Sequence, residues 1–252
     1  MREHRNRLQK PQVYLTFDIE RDYVKTGHFR RPSFEGIRSN VPRILDKMHE
    51  NHIIGTFFLT PEVIANCEDL VAEIKRRHAV GLHSHAYYQP EFKGWNADGD
   101  SLACYSSDQK TRMILRDIGA YRHCLGKLRL FRIGRLEPDQ TILKVVSEEG
   151  CQCDSSYHAT NYGLLERLRV ALKYDFKEKP VKYHLYGLEP SHLMRDQAVI
   201  LVHPLTPPGK SDKEVYDEDH LMRVIDISSR YCDPKDLTSC INTPQESPNG
   251  YD

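Results

Sequence analysis

The sequence predicts an α/β fold built on parallel strands, and three observations carry that expectation. Short β-rich apolar runs alternate with longer stretches of helical periodicity from one end of the chain to the other. Pro61, Pro138 and Gly150 fall at the edges of those stretches. Ionisable residues stand directly after the apolar runs, where a parallel sheet gathers its sites.

In chain order, VYLTF predicts a strand at residues 13–17, followed by a helix at 37–51 and a strand at 53–59. A helix over 61–77 opens with Pro61 just after Thr60, where a first-turn proline is tolerated. A strand at 79–82 precedes a helix at 107–125, on which Met113, Ile114, Asp117 and Ile118 recur at the three-to-four spacing of one face. Then come a strand at 128–132 and a helix at 138–149, with Pro138 in its first turn and Gly150 ending it. VILV predicts a strand at 199–202, and a helix follows at 214–231. Strand, helix, strand in this order means parallel pairing and right-handed crossovers, closing into a barrel or staying an open doubly wound sheet. Residues 87–106 read as a long loop, 204–212 as a turn-rich connection and 233–252 as a frayed tail. A single domain is therefore expected over residues 1–232.

Composition excludes several classes. The chain has 252 residues with 36 Lys+Arg against 36 Asp+Glu, a formal charge of zero. That balance lacks the basic surplus on which nucleic-acid binding rests. No apolar run approaches the ~18 residues of a membrane helix, so no membrane span is expected. The basic first ten residues lead into no signal-type apolar core, because VYLTF stops at Asp18. Seven cysteines, an odd number, read as reduced thiols, and a cytoplasmic location is the matching expectation. Cys151 and Cys153 read as buried thiols rather than a metal pair. There is no GxGxxG and no GxxxxGK[ST], so no nucleotide-cradling loop is signalled.

The chemistry gathers at the strand ends. Asp18 and Glu20 follow VYLTF, His83 and His85 follow AVGL, Arg132 and Arg135 close LRLFRIGR, and His203 ends VILV. Each has a plain structural reading: carboxylates capping the next segment or pairing with Arg21, histidines satisfied within the fold, arginines solvated or ion-paired. Four separate strands delivering ionisable groups to one rim favour a site. Two imidazoles in one short loop, with a carboxylate from a neighbouring strand, can share a divalent ion.

These residues carry a resemblance. Thr16-Phe17-Asp18-Ile19-Glu20, Gly55-Thr56-Phe57-Phe58, Gly81-Leu82-His83-Ser84, Phe131-Arg132-Ile133-Gly134-Arg135, Asp154-Ser155-Ser156 and Val202-His203-Pro204 appear in an order and at spacings that resemble the polysaccharide deacetylase family, over roughly residues 12–205. The resemblance implies a distorted (β/α) barrel of roughly seven parallel strands. It implies a metal-dependent hydrolase that removes N-acetyl groups from an amino sugar or a small N-acylated substrate. Asp18 would be the general base, His203 the general acid and Arg132 the residue that orients Asp18. Glu20 and His83 would hold a divalent metal, zinc first and cobalt, manganese or nickel as alternatives.

The match departs from the family at one ligand. In the commonest form the second imidazole stands four residues after the first, and here that position is Tyr87. Either His85 substitutes, as in a variant branch that pairs an H-x-H loop with F-R-x-G-R, or Tyr87 is the ligand, or the ion is lost and the protein binds without catalysing. A phenol is a poor zinc ligand at neutral pH, its pKa being about 10, and His85 is preferred. Arg135 either offers charge to an anionic substrate or forms a surface ion pair. The rival functions are a non-catalytic carbohydrate-binding relative and a cyclic amide or imide hydrolase on the same barrel. Without an export signal, a soluble or lipid-linked precursor is a better expected substrate than mature wall polymer.

Overall fold

A computed structural model describes residues 10–22, 33–85, 102–159, 198–204 and 217–242, with residues 161, 167, 173, 177–179, 181–184 and 188 between the third and fourth of these spans. The expected loop residues Tyr87, Trp95, Asp98 and Asp100 lie outside the described residues.

The strands are β1 (Gln12–Ile19), β2 (Thr56–Leu59), β3 (Ala79–Ser84), β4 (Leu130–Ile133), β5 (Cys153–Asp154), β6 (Lys177–Glu178), β7 (Tyr183–His184), β8 (Ala198–Val202) and β9 (Asp233–Pro234). They lie in one sheet in the order β6-β5-β4-β3-β2-β1-β8-β7, with β9 on β1. Every pairing is parallel. The sheet thus has nine strands among the described residues where roughly seven were expected, and four of the nine are only two residues long.

The sheet curls. Its concave face carries Tyr14, Phe58, Leu130, Cys153, Val181, Val199 and Leu201, which form one buried cluster. Its convex face carries Val13, Leu15, Phe17 and Ile19 into a larger core with the helices. The two sets alternate along β1, as the pleat requires. This is the α/β barrel-like fold expected, left open as a half-barrel.

The helices are α1 (Glu35–Glu50), α2 (Pro61–Asn66), α3 (Glu68–Arg77), α4 (Ser107–Leu125), α5 (Gln140–Glu148), α6 (Glu218–Tyr231) and α7 (Thr238–Asn242). The single helix expected over 61–77 is broken at buried Cys67, whose φ of −133° is not helical. Arg38 holds the break, its Nη2 donating to the Asn66 carbonyl at 2.9 Å. Pro61 does open α2 behind a Thr60 cap. Pro138 does not open α5; Asp139 caps that helix instead, accepting from the Thr141 and Ile142 amides. The segment expected to be a tail from residue 233 carries β9 and α7. There Leu237 is fully buried in the concave cluster, and its amide donates to Thr56 Oγ1 at 2.9 Å. Those contacts close the barrel at the end opposite the strand C-termini.

Candidate active site

Asp18 is the penultimate residue of β1, and Glu20 follows its last. Alternation along β1 turns both carboxylates to the concave side, where they are 2% and 1% exposed. β3 runs two residues further than expected, so His83 lies within it, opposite Arg132 of β4. Ser84 faces the other way and donates to buried Asp117 of α4 at 2.5 Å, which ties the end of β3 to the helix layer. His203 follows β8 directly and is 27% exposed. The structure therefore brings Asp18, Glu20, His83, His85, Arg132 and His203 together at one rim.

Arg132 is fully buried, and every nitrogen of its guanidinium is used. Nη1 donates to Asp18 Oδ1 at 2.7 Å, Nη2 to Thr16 Oγ1 at 2.9 Å and Ser155 Oγ at 2.8 Å, and Nε to the Ser155 carbonyl at 3.2 Å. The group also lies 4.2 Å from the centroid of the Phe58 ring. A charge so deep is tolerated only with this full set of partners. Burial works to raise the Asp18 carboxyl, but Arg132, His83 and His203 outweigh it and hold that carboxyl below its ordinary range. Asp18 is thus an ionised carboxylate whose Oδ2 faces two imidazoles, 3.6 Å from His83 Nε2 and 3.7 Å from His203 Nε2.

The second carboxylate belongs to a different set. Glu20 Oε2 is 3.4 Å from His85 Nε2, and Glu20 Oε1 is 4.0 Å from His83 Nε2 and 3.6 Å from His203 Nε2. The two ligand-loop imidazoles meet at 3.0 Å between their Nε2 atoms. One atom from each of Glu20, His83 and His85 lies within 4.8 Å of the others, and all three side chains are buried. His83 Nδ1 is 3.1 Å from the Arg132 carbonyl, which can only accept, so Nδ1 carries the proton and Nε2 keeps its lone pair. Burial lowers the His83 pKa to about 4, against the pull of Asp18. A neutral imidazole, a second imidazole and a carboxylate fit a borderline divalent ion such as zinc.

Arg135 stands apart from this cluster. It is exposed and pairs with Glu137 at 3.1 Å, which is the surface alternative. Cys151 and Cys153 are buried with their thiols raised by burial, as expected of packing cysteines. One contributor was not singled out from sequence. His184 of β7 is the register partner of Leu201, two residues before His203 on the same strand face. Its ring stacks on that of His158 with centroids 5.3 Å apart. Burial, with help from His203, lowers its pKa to about 4. No apolar run marks a two-residue strand, so only a histidine within a weak segment pointed there.

A family model described as polysaccharide deacetylase matches residues 5–153. Among curated proteins none matches the chain by sequence. A solved peptidoglycan N-acetylglucosamine deacetylase is 18% identical with a TM-score of 0.55, over 94% of this chain and 91% of that one. A Mycobacterium smegmatis protein assigned to the polysaccharide deacetylases is 18% identical with a TM-score of 0.61, over 90% and 86%. A Bacillus anthracis pseudoenzyme of carbohydrate esterase family 4 is 16% identical with a TM-score of 0.51, over 92% and 66%. At such identities these likenesses show a shared fold.

Proposed function

Because the chain belongs to the polysaccharide deacetylase family, we propose that it is a metal-dependent hydrolase that removes an N-acetyl group from an amino sugar or a related carbohydrate. One observation carries this reading. An ionised carboxylate, anchored on one oxygen by Arg132, turns its other oxygen toward a Glu20–His83–His85 cluster and toward His203. Glu20, His83 and His85 are the residues that would hold the ion. His85 is preferred over Tyr87 because its Nε2 already meets both partners. When bound, a divalent ion supplies Lewis acidity toward an acyl oxygen and lowers the pKa of water.

The chain's own residues supply the proton movements. Asp18 Oδ2 is the acceptor for the proton of the attacking water, and Arg132 keeps Asp18 ionised and fixed for that task. Water oxygen bonds to the acyl carbon as the C–N bond breaks. The amine leaves with a proton from His203, whose partly exposed ring stands on the open side of the rim. Acetate and a free amine are the products.

The test joins elemental analysis of the purified protein to acetate release from N-acetylhexosamine oligomers. We expect about one ion per chain, lost in both His83→Ala and His85→Ala. Asp18→Asn is expected to keep the ion and lose acetate release. An ion retained in His85→Ala and lost in Tyr87→Phe moves the ligand to Tyr87. If the protein takes up no ion from excess metal and releases no acetate, the reading falls. Carbohydrate binding that is indifferent to Asp18→Asn would then identify a non-catalytic relative. Hydrolysis of cyclic imides with no action on N-acetylhexosamines would identify the other rival.

A further inference from the structure

Resting on the metal-site reading above, we infer that Gly134 is a positioning residue whose missing side chain seats the His85 ring and so permits a ligand only two residues after His83. A Cβ built on Gly134 would lie 2.2 Å from His85 Cε1, 2.3 Å from Nδ1 and 2.5 Å from Cγ. The three distances are nearly equal, so that Cβ would sit over the face of the ring; the imidazole lies flat against the bare Cα, with Nε2 facing His83 and Glu20. It has no room to retreat. The His83 ring stands across it at 4.6 Å and 87°, and His85 is 4% exposed.

The backbone itself does not ask for glycine here. Among the described residues the glycines with positive φ are Gly126 and Gly150, and Gly134 is not one of them. Its φ allows a side chain, and the three atoms nearest a Cβ there all belong to His85. The residues that do bend into the left-handed region are the next two, Arg135 at φ 58° and Leu136 at φ 51°. Two consecutive side-chain-bearing residues there are costly and persist only when their surroundings fix them. Leu136 is held in the concave cluster, and the Glu137 amide donates to the Gly134 carbonyl. The turn thus presents the bare Cα of Gly134 to the imidazole. The short spacing of the ligand loop and the glycine on β4's far end form one unit, and the strained turn is what holds it.

Zinc titration and the visible absorption of the cobalt-loaded protein test this. Gly134→Ala is expected to unfold at a lower temperature than wild type in chelator, because the added methyl overpacks a ring that has no room to move. Its zinc affinity is expected to fall roughly ten- to a hundredfold, with an altered cobalt spectrum. In a His85→Ala background, compared by thermal unfolding in chelator because that variant is expected to lose the ion, the added Gly134→Ala should cost nothing further, since the ring it displaces is already gone. Wild-type affinity and spectrum in Gly134→Ala, or an equal further loss in the His85→Ala background, overturns the inference. Leu136→Ala loosens the same turn and carries the same comparison should Gly134→Ala fail to fold. If the wild-type chain binds no ion, the proposed function fails but the seat is still read. The His85 imidazole NMR signals of the metal-free protein should then move in Gly134→Ala, and unmoved signals overturn the inference.

Discussion

His83 and Arg132 are register partners across β3 and β4, and the His83 imidazole donates from Nδ1 to the Arg132 carbonyl at 3.1 Å. One residue of β4 therefore serves both halves of the site. Its backbone selects the His83 tautomer that offers Nε2, and its guanidinium holds Asp18 ionised. The Glu20–His83–His85 cluster and the Asp18 carboxylate are tied to each other through that strand.

Removing the Arg132 charge exposes this coupling. Arg132→Met leaves Asp18 buried without its counter-charge and is expected to cost about 3–5 kcal/mol in denaturant unfolding at pH 7. The sign follows from the depressed Asp18 carboxyl, whose stabilisation is present above the ordinary 3.8 and is lost as pH falls through the folded value below it. The deficit of the variant should therefore shrink in acid. Arg132→Lys, if folded, should move the acidic limb of kcat/KM to higher pH.

His203→Gln separates acid catalysis from ion binding. With His203 as proton donor to the amine, kcat for acetate release should fall about 10²–10⁴-fold. Ion content should match wild type, because the ligand set does not include this ring. An unchanged kcat would remove His203 from the reaction.

Asp154 predicts an alkaline weakness. Burial pushes this carboxyl up to about 7, and its Oδ2 has no hydrogen-bond partner while Oδ1 accepts from Ser156 Oγ. The folded state holds a proton that the unfolded chain releases near 3.8. Stability from this group thus declines as pH rises from about 4 to about 7 and stays lost above that. Asp154→Asn should be indistinguishable from wild type near pH 4 and more stable at pH 8, by at most about 4 kcal/mol. Urea midpoints across that range read the difference directly.

Leu237→Ala tests the floor of the barrel. The side chain is fully buried in the concave cluster, so a loss of about 2–5 kcal/mol is expected from the cavity left behind. Ligand-loop geometry lies at the other end, and ion affinity should be unchanged.

The sequence made the long strands and the rim legible, because VYLTF and VILV are apolar runs that end in charge. It did not show β5, β6, β7 or β9, since two residues carry no periodicity. Those strands exist through register with their neighbours in the sheet, and with them came the placement of His184 and the anchoring of Leu237. Pro138 suggested a helix start, yet the carboxylate of Asp139 captures two free amides and sets the boundary two residues later. Gly134 was visible only as one letter of the F-R-x-G-R segment that resembles a variant branch of the family. That this segment and the H-x-H spacing explain each other is a matter of ångströms between the His85 ring and a bare Cα.

The position of β1 has a consequence for how the molecule is made. It lies between β2 and β8, and Thr16 Oγ1 donates to the Ile200 carbonyl across 184 residues of sequence. One side of the sheet at Asp18 is therefore supplied by a strand that a ribosome delivers long after β1. Until then an edge of β1 stands open, and a growing chain holds most of its fold with an unfinished reaction centre. Such distant closure belongs to the slow end of folding kinetics. Recovery of the site after dilution from denaturant should follow the docking of β8, well behind the collapse of β1 through β4.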